Sequence, residues 1–375
     1  MVNNPLKLLV KELESMVSDF INKYFESMNI PDIYKRADKK GMTDKYKFSI
    51  GGVDISNPVI SAPLAGISDN TFRVFARTFG CSLTFSEMVT SNGLYYNHKK
   101  SKELTSITEY ERPCALQLFG SEPEIMAEAA SKVEDIADII DINMGCPVPK
   151  ILKAKSGGYL MKDKNKMGKI ILAMVSSLKK PLTVKTRIGW SKDDRNVVEI
   201  ARIAEHAGAS AITIHGRTVK QGFSGEVDYG IIKEVKEAVD IPVIASGDIE
   251  TPLKALEVLE STGCDGIMIG RAAKGTLWLL QEMLLLLLLK EKRWDIRGLS
   301  EFLPGEEWKK SFAGLYLRFL VYFKGEFRAV REFRKHLSWI FKGVSGIKKV
   351  RKKFFLIEST DAAMEIIDSI KRIGQ

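Results

Sequence analysis

Disulfide chemistry has little to work with in this chain. Its 375 residues hold four cysteines, Cys81, Cys114, Cys146 and Cys264, with no CxxC pair and no spacing that would knot a metal. Neither a disulfide framework nor a metal site is expected, and the usage fits a reducing, cytoplasmic compartment. A long apolar run is also missing. The stretch MLLLLLL, extended back to Leu277, reaches roughly 13 residues interrupted by Gln281 and Glu282, against the ~20 needed to span a bilayer. It is expected to be a buried helix end, without membrane contact. The opening MVNNPLKLLVKELESMV lacks an uninterrupted apolar core and a small-residue cleavage site, so no signal peptide is read.

Charge of one sign is scarce only at one end. The net charge is +10, and residues 1–289 carry 37 Lys+Arg against 36 Asp+Glu, while residues 290–375 carry 20 against 11. The excess therefore sits in the last 86 residues, in clusters at 328–336 and 348–353. A basic segment joined to a neutral body points to a polyanionic partner, with nucleic acid the first candidate.

What is present is a rhythm. Apolar side chains at helical spacing from Leu6 to Phe25 predict an amphipathic helix that docks on something. A polar stretch, 35–45, separates it from FSIGGVDISN, which reads as a hairpin turning on Gly51-Gly52. Short apolar or β-branched runs then recur at 58–64, 82–88, 114–119, 139–144, 182–188, 211–216, 242–247 and 266–270, with helical patterns after most of them. Eight βα units predict a (β/α)8 TIM barrel whose bottom the hairpin plugs. After Leu289 the alternation stops and helical spacing continues to the end. The expected organisation is an N-terminal helical extension (1–46), a barrel (47–290) and a basic helical C-terminal domain (291–375).

In such a barrel the site lies at the C-terminal ends of the strands. Those ends carry Pro63, Leu64 and Ala65; Gln117; Asn143 with Cys146; Lys185 and Arg187; His215; Ser246, Gly247 and Asp248; Gly270 and Arg271. Glycines and an arginine after strands seven and eight suit a phosphate, and Lys185 suits negative charge on a planar ring. Singly, Lys185 could be a packed stem and His215 a satisfied core residue, each the less favoured reading. Polar residues at six strand ends on one face point instead to a site.

PLAGISDNTFR, LQLFGSEP, DINMGCPVPK, VKTRIGW, TIHGRT, ASGDI, MIGRAA and REFRKHLSWIF resemble, in order and spacing, the tRNA-dihydrouridine synthases, above all their bacterial B-type branch. The likeness covers roughly residues 47–345 and leaves about the first 45 without a counterpart. It implies an FMN barrel that reduces the C5–C6 bond of uridines in tRNA, with NADPH recharging the flavin. By matching motif, Pro63, Leu64, Ala65, Gln117, Lys185, His215, Ser246, Gly247, Asp248, Gly270 and Arg271 would contact flavin, and Cys146 would be the proton donor. The enolate left by hydride addition would then call for Asn143 at the uracil edge and Arg187 at its oxygens. Leu64 stands where the family often has Met, and Ser246 where it often has Asn. Lys185 is expected to point at the flavin and away from Cys146. Lys153, in a basic loop that reads equally as a lid or as a solvated turn, would meet substrate, and Arg331, Arg334 and Lys335 would hold phosphates. Trp339 is expected in the core. The alternative is a small-molecule flavin reductase of the dihydroorotate or dihydropyrimidine dehydrogenase type, which has no need of a basic helical domain.

Overall fold

Beyond each turn the chain alternates between residues that enter a barrel and residues that face its helices. The structure, a computed structural model, describes residues 4–27, 44–293, 303–344 and 347–370. Strands β1 (Phe48–Ile50) and β2 (Val53–Ile55) pair antiparallel across Gly51 and Gly52. Then come β3 (Val59–Ser61), β4 (Thr84–Phe85), β5 (Val89–Thr90), β6 (Cys114–Phe119), β7 (Ile139–Asn143), β8 (Leu182–Arg187), β9 (Ala211–His215), β10 (Val243–Ser246) and β11 (Gly266–Ile269). The order is β3-β11-β10-β9-β8-β7-β6-β4, all parallel, with β5 joining β6. Ile60 bridges Leu83 and closes the ring, where Ser82 N donates to Val59 O at 2.8 Å. The fold is thus an eight-stranded parallel barrel with C-terminal helices. Of the run expected at 82–88 only β4 is strand, with β5 just past its end, and the predicted strand ends beyond the ladders become site loops.

The inward positions form a gradient. At the bottom, Ile60, Leu83, Ala115, Ile139, Ala211 and Ile244 pack with Ile50 and Ile55 of the hairpin. Gly51 holds φ +55, and a Cβ there would meet Pro181, just before β8, at 2.4 Å. The hairpin therefore plugs the N-terminal end of the barrel. Two residues higher along β7, the alternation brings in Asp141 and then Asn143, so the interior turns polar toward the mouth.

Outside the barrel, α1 (Pro5–Ser27) buries Leu6, Val10, Leu13, Val17, Phe20 and Phe25. It packs on α2 (Asn70–Thr78), which follows β3, and on α4 (Glu306–Lys324) of the C-terminal helices. An aromatic seam joins the three. Phe20 lies 6.1 Å from Phe79 and 5.5 Å from Trp308 between ring centroids, and Phe75 lies 5.3 Å from Phe312. Trp278, opening α3 (Trp278–Glu291), adds contacts of 5.4 Å with Trp308 and 5.3 Å with Phe312. The oligo-leucine run lies in α3 and is buried, and no described helix is long and apolar enough to cross a membrane. Arg318 of α4 pairs with Glu12 of α1. The polar stretch 35–45 lies mostly outside the described residues.

The C-terminal helices also grip the barrel mouth. Asp69 caps α2 by accepting from Phe72 N at 3.0 Å and pairs with Lys324 of α4. Lys335, on α5 (Glu326–Ile340), donates to Gly66 O in the loop after β3. Beneath them, buried Arg73 pairs with buried Glu111 at 2.6 Å and donates to Ser68 O at 2.6 Å. Trp339 is partly buried against the core. Replacing Phe20 by alanine removes a ring from both sides of the seam and is expected to cost about 3–5 kcal/mol. The reading is a lower urea midpoint at unchanged slope; an unchanged midpoint would show that α1 merely rests on the surface.

Candidate active site

A cavity of about 310 Å³ opens at the C-terminal ends of the strands. One wall is the loop after β3, with Pro63, Leu64 and Ala65. Asn143 and Cys146 from the β7 end and Lys185 and Arg187 from β8 form the next. His215, then Ser246, Gly247 and Asp248, then Gly270 and Arg271 complete the ring. The remaining predicted site residues stand off this wall. Gln117 lies buried one layer below, hydrogen-bonded to Asp141 and Asn143. Lys153 is exposed at the end of the helix Pro149–Lys153. Arg331 stacks on Phe327 at 3.7 Å, Arg334 lies 5.3 Å from the Phe355 ring, and Lys335 serves the Gly66 loop.

The loop bearing Cys146 is held tightly from its backbone. Asn143 Oδ1 accepts from Cys146 N at 2.9 Å and Gly145 N at 3.2 Å, and Cys146 O accepts from Gly158 N at 3.0 Å. A Cβ at Gly145 would stand 3.0 Å from the Thr186 backbone carbon, so any side chain there would push the loop off β8 by a few tenths of an ångström. Arg187 crosses the site as a brace. Its Nε donates to Gly145 O at 2.9 Å, and its Nη1 to Thr218 O at 2.8 Å and Gly222 O at 2.6 Å. The cysteine loop is thereby tied to the loop after β9, where Phe223 stands 4.6 Å below the Arg271 guanidinium.

Burial decides the protonation states. It pushes the half-buried Cys146 thiol up, against a backbone bond from Val148 and the charges of Arg187 and Lys185. Lys185 was expected to point away from Cys146, and its charge nevertheless acts on the thiol. Both border one cavity and the lysine charge reaches the sulfur, but desolvation outweighs it and the thiol stays protonated near neutral pH. Lys185 itself is pushed down to about 8 by burial and Arg187, with Asp141 and Cys146 opposing. His215 is pushed down to about 2 by burial and four surrounding cations, so its ring is neutral. Its buried Nδ1 has no protein partner.

Three residues at or near the wall were given no role by the motifs, although two of them, Asp141 and Arg217, stand inside DINMGCPVPK and TIHGRT. Arg217 donates from Nη1 to Asp248 Oδ1 at 2.9 Å, and Arg271 reaches the same oxygen. The Asp248 side chain is thus the counter-ion of two arginines. Phe223 and Asp141 are the others, and alternation with Asn143 would have placed Asp141 inside.

A neutral imidazole with an open buried nitrogen, cations at the wall and glycine at positions 247 and 270 suit an anionic, planar cofactor. Among the described residues, no group of three or more His, Cys, Asp or Glu is placed to hold a metal. Iodoacetamide is expected to label Cys146 alone, because Cys81, Cys114 and Cys264 are buried. Its labelling rate should rise only above the pH range of a free cysteine, about 8.5; a half-maximal rate below that would show a thiolate.

Comparisons with known proteins agree with one another. Residues 60–373 match the dihydrouridine synthase (Dus) family model. "tRNA-dihydrouridine synthase B" of Pseudomonas syringae pv. tomato is 39% identical over 315 residues, covering 84% of this chain and 91% of that protein. The protein of the same name from Proteus vulgaris is 39% identical over 321 residues, covering 85% and 97%. Among solved structures, 2-naphthoyl-CoA reductase in complex with 2-naphthoyl-CoA superposes with a TM-score of 0.50 at 11% identity, covering 63% of this chain and 51% of that one. That likeness concerns the fold alone. On the family match and the length shared with B-type relatives, this chain belongs to the dihydrouridine synthase family.

Proposed function

We propose that the protein is an FMN-dependent tRNA-dihydrouridine synthase that uses NADPH to reduce the C5–C6 bond of uridines in tRNA. The observation that carries this reading is a protonated thiol, held by a braced loop, on the same cavity as a cation-lined cofactor cradle. Hydride for C6 is the chemistry a reduced flavin supplies when bound, with NADPH as its source of electrons.

The chain's own residues do the rest. Pro63, Leu64 and Ala65 with Lys185 and His215 would border the flavin ring, and Ser246, Gly247, Gly270 and Arg271 would hold its phosphate. Asp248 orients Arg271, and Gln117 supports the floor from below. Addition of hydride at C6 of a uracil conjugated with its C4 carbonyl leaves an enolate that needs a proton at C5. Cys146 gives that proton, and the thiolate left behind faces Lys185 and Arg187, whose charges stabilise it. Arg187 and Asn143 border the base, where negative charge collects on its oxygens.

A uridine in folded tRNA reaches this depth only when flipped out of its stack. The basic part, 291–375, grips the surrounding phosphates, and the barrel, 47–290, does the chemistry. Lys348, Lys349, Arg351, Lys352 and Lys353 are exposed on or beside one short helix, Ile347–Phe354. Together with Arg331, Arg334 and Lys335 on α5 they would supply the contacts to phosphates. Lys153 lies beside the cysteine loop, where it would meet the same strand. A small-molecule flavin reductase has no use for these contacts.

Cys146→Ala should leave the protein yellow and its flavin reducible by NADPH, while dihydrouridine formation falls about 10²–10⁴-fold, the range of a general acid. Loss of flavin binding in that variant would make the cysteine structural. Lys349→Glu with Lys352→Glu and Lys353→Glu should weaken tRNA binding at least about tenfold and flatten its salt dependence. Unchanged affinity would move the RNA contact elsewhere. Mapping of dihydrouridine in tRNA with and without the gene tests the activity itself.

A further inference from the structure

Below the cysteine loop lies a row of buried polar side chains whose bonds to one another the proposed chemistry leaves without a role. Asp141 is 0% exposed, with Thr183 Oγ1 donating to its Oδ1 at 2.6 Å and Gln117 Nε2 donating to its Oδ2 at 2.7 Å. Gln117 Oε1 accepts from Asn143 Nδ2 at 2.9 Å. Asn143 Oδ1 then accepts the backbone N–H of Cys146 at 2.9 Å and of Gly145 at 3.2 Å. The row runs from β8 through β7 and β6 and ends at the catalytic loop.

Its direction is fixed from one end. A side-chain amide has a donor end and an acceptor end of nearly equal shape, so volume alone does not orient it. The carboxyl oxygen facing Gln117 accepts, which turns Nε2 toward Asp141 and Oε1 toward Asn143. Asn143 must then present Nδ2 to Gln117 and Oδ1 to the loop. If Gln117 turned over, its NH₂ would face that of Asn143 and its oxygen the Asp141 carboxyl. If Asn143 turned over, its NH₂ would face the N–H of Cys146, and each buried bond lost costs about 1–3 kcal/mol. Burial lifts the Asp141 carboxyl to about 7, against bonds from Thr183 and Gln117 and the charge of Lys185. The Thr183 hydroxyl can reverse, so Oδ2 remains the acceptor in either protonation state.

We propose that Asp141 is a positioning residue that orients Gln117 and Asn143 and through them seats the Cys146 loop. It acts on the thiol without touching substrate or cofactor, and its catalytic consequence rests on the proton-donor role proposed for Cys146.

Three variants of the full chain test this. Asp141→Leu removes the fixed acceptor, and Gln117→Glu sets two carboxyls against each other. The double variant Asp141→Asn with Gln117→Glu exchanges the two groups. The amide introduced at 141 donates to the carboxylate introduced at 117, which still accepts from Asn143, so the row is rebuilt with its charge moved by one residue. Iodoacetamide labelling of Cys146 in flavin-free protein should accelerate about tenfold in each single variant, equivalent to one unit of thiol pKa. Single-turnover reduction of tRNA should slow about 100-fold in both, as for a reacting group misplaced by about 1 Å, and the double variant should return to within about threefold. In Asp141→Leu the flavin should still be reduced by NADPH at the parent rate, which separates seating of the thiol from damage to the cofactor site.

Single variants that label and react like the parent would overturn the proposal, as would a double variant no better than Gln117→Glu. If Asp141→Leu does not fold, the comparison of Gln117→Glu with the double variant decides alone. A parent protein that forms no dihydrouridine would sink the proposed function instead, and the labelling series would still settle the role of Asp141.

Discussion

A closed parallel barrel has a single interior, and every second residue of each strand must enter it. That constraint organises the molecule. At the bottom it is met with Ile, Leu and Ala and a hairpin that fills the remaining space. Nearer the mouth the same alternation delivers Asp141, Asn143, Lys185 and His215, which no water-filled surface would hold in such fixed relation. The cavity is the upper end of the core, built by the same register that seals the lower end.

Two consequences of that position oppose each other. Burial raises the cost of charge, which keeps the Cys146 thiol protonated and the His215 ring neutral. Several cations nevertheless surround the same space, and Asp248 neutralises two of them only in part. The result is a pocket rich in positive potential whose own groups are costly to charge. Such a pocket suits an anionic ligand and favours negative charge that appears late in a reaction.

The elements with strong local signals were legible in the sequence. Eight apolar runs, the Gly51-Gly52 turn and the face of α1 follow from periodicity, and the wall from Pro63 to Arg271 follows from strand ends and motifs. What was hidden depends on partners far apart in the chain. Arg187 looked like a ligand for a base, yet its Nε and Nη1 are engaged by carbonyls of Gly145, Thr218 and Gly222. Gln117 looked like a wall residue, but its amide faces downward to Asp141. Lys335 belongs to a basic run, and only the docked helices reveal that it donates to Gly66 O. Periodicity gave α1 an apolar face without saying that Phe79 and Trp308 would cover it.

The place of α1 bears on how the chain is made. Its apolar face is translated about 280 residues before α4, which at ~5–20 residues per second is a wait of roughly 15–60 s. During that interval Phe20 has α2 to lean on but no Trp308, so the seam is half built while the barrel completes itself. The last large helices then arrive at a surface already bearing one aromatic partner. Synthesis order thus makes α1 a template on which the C-terminal helices are set down.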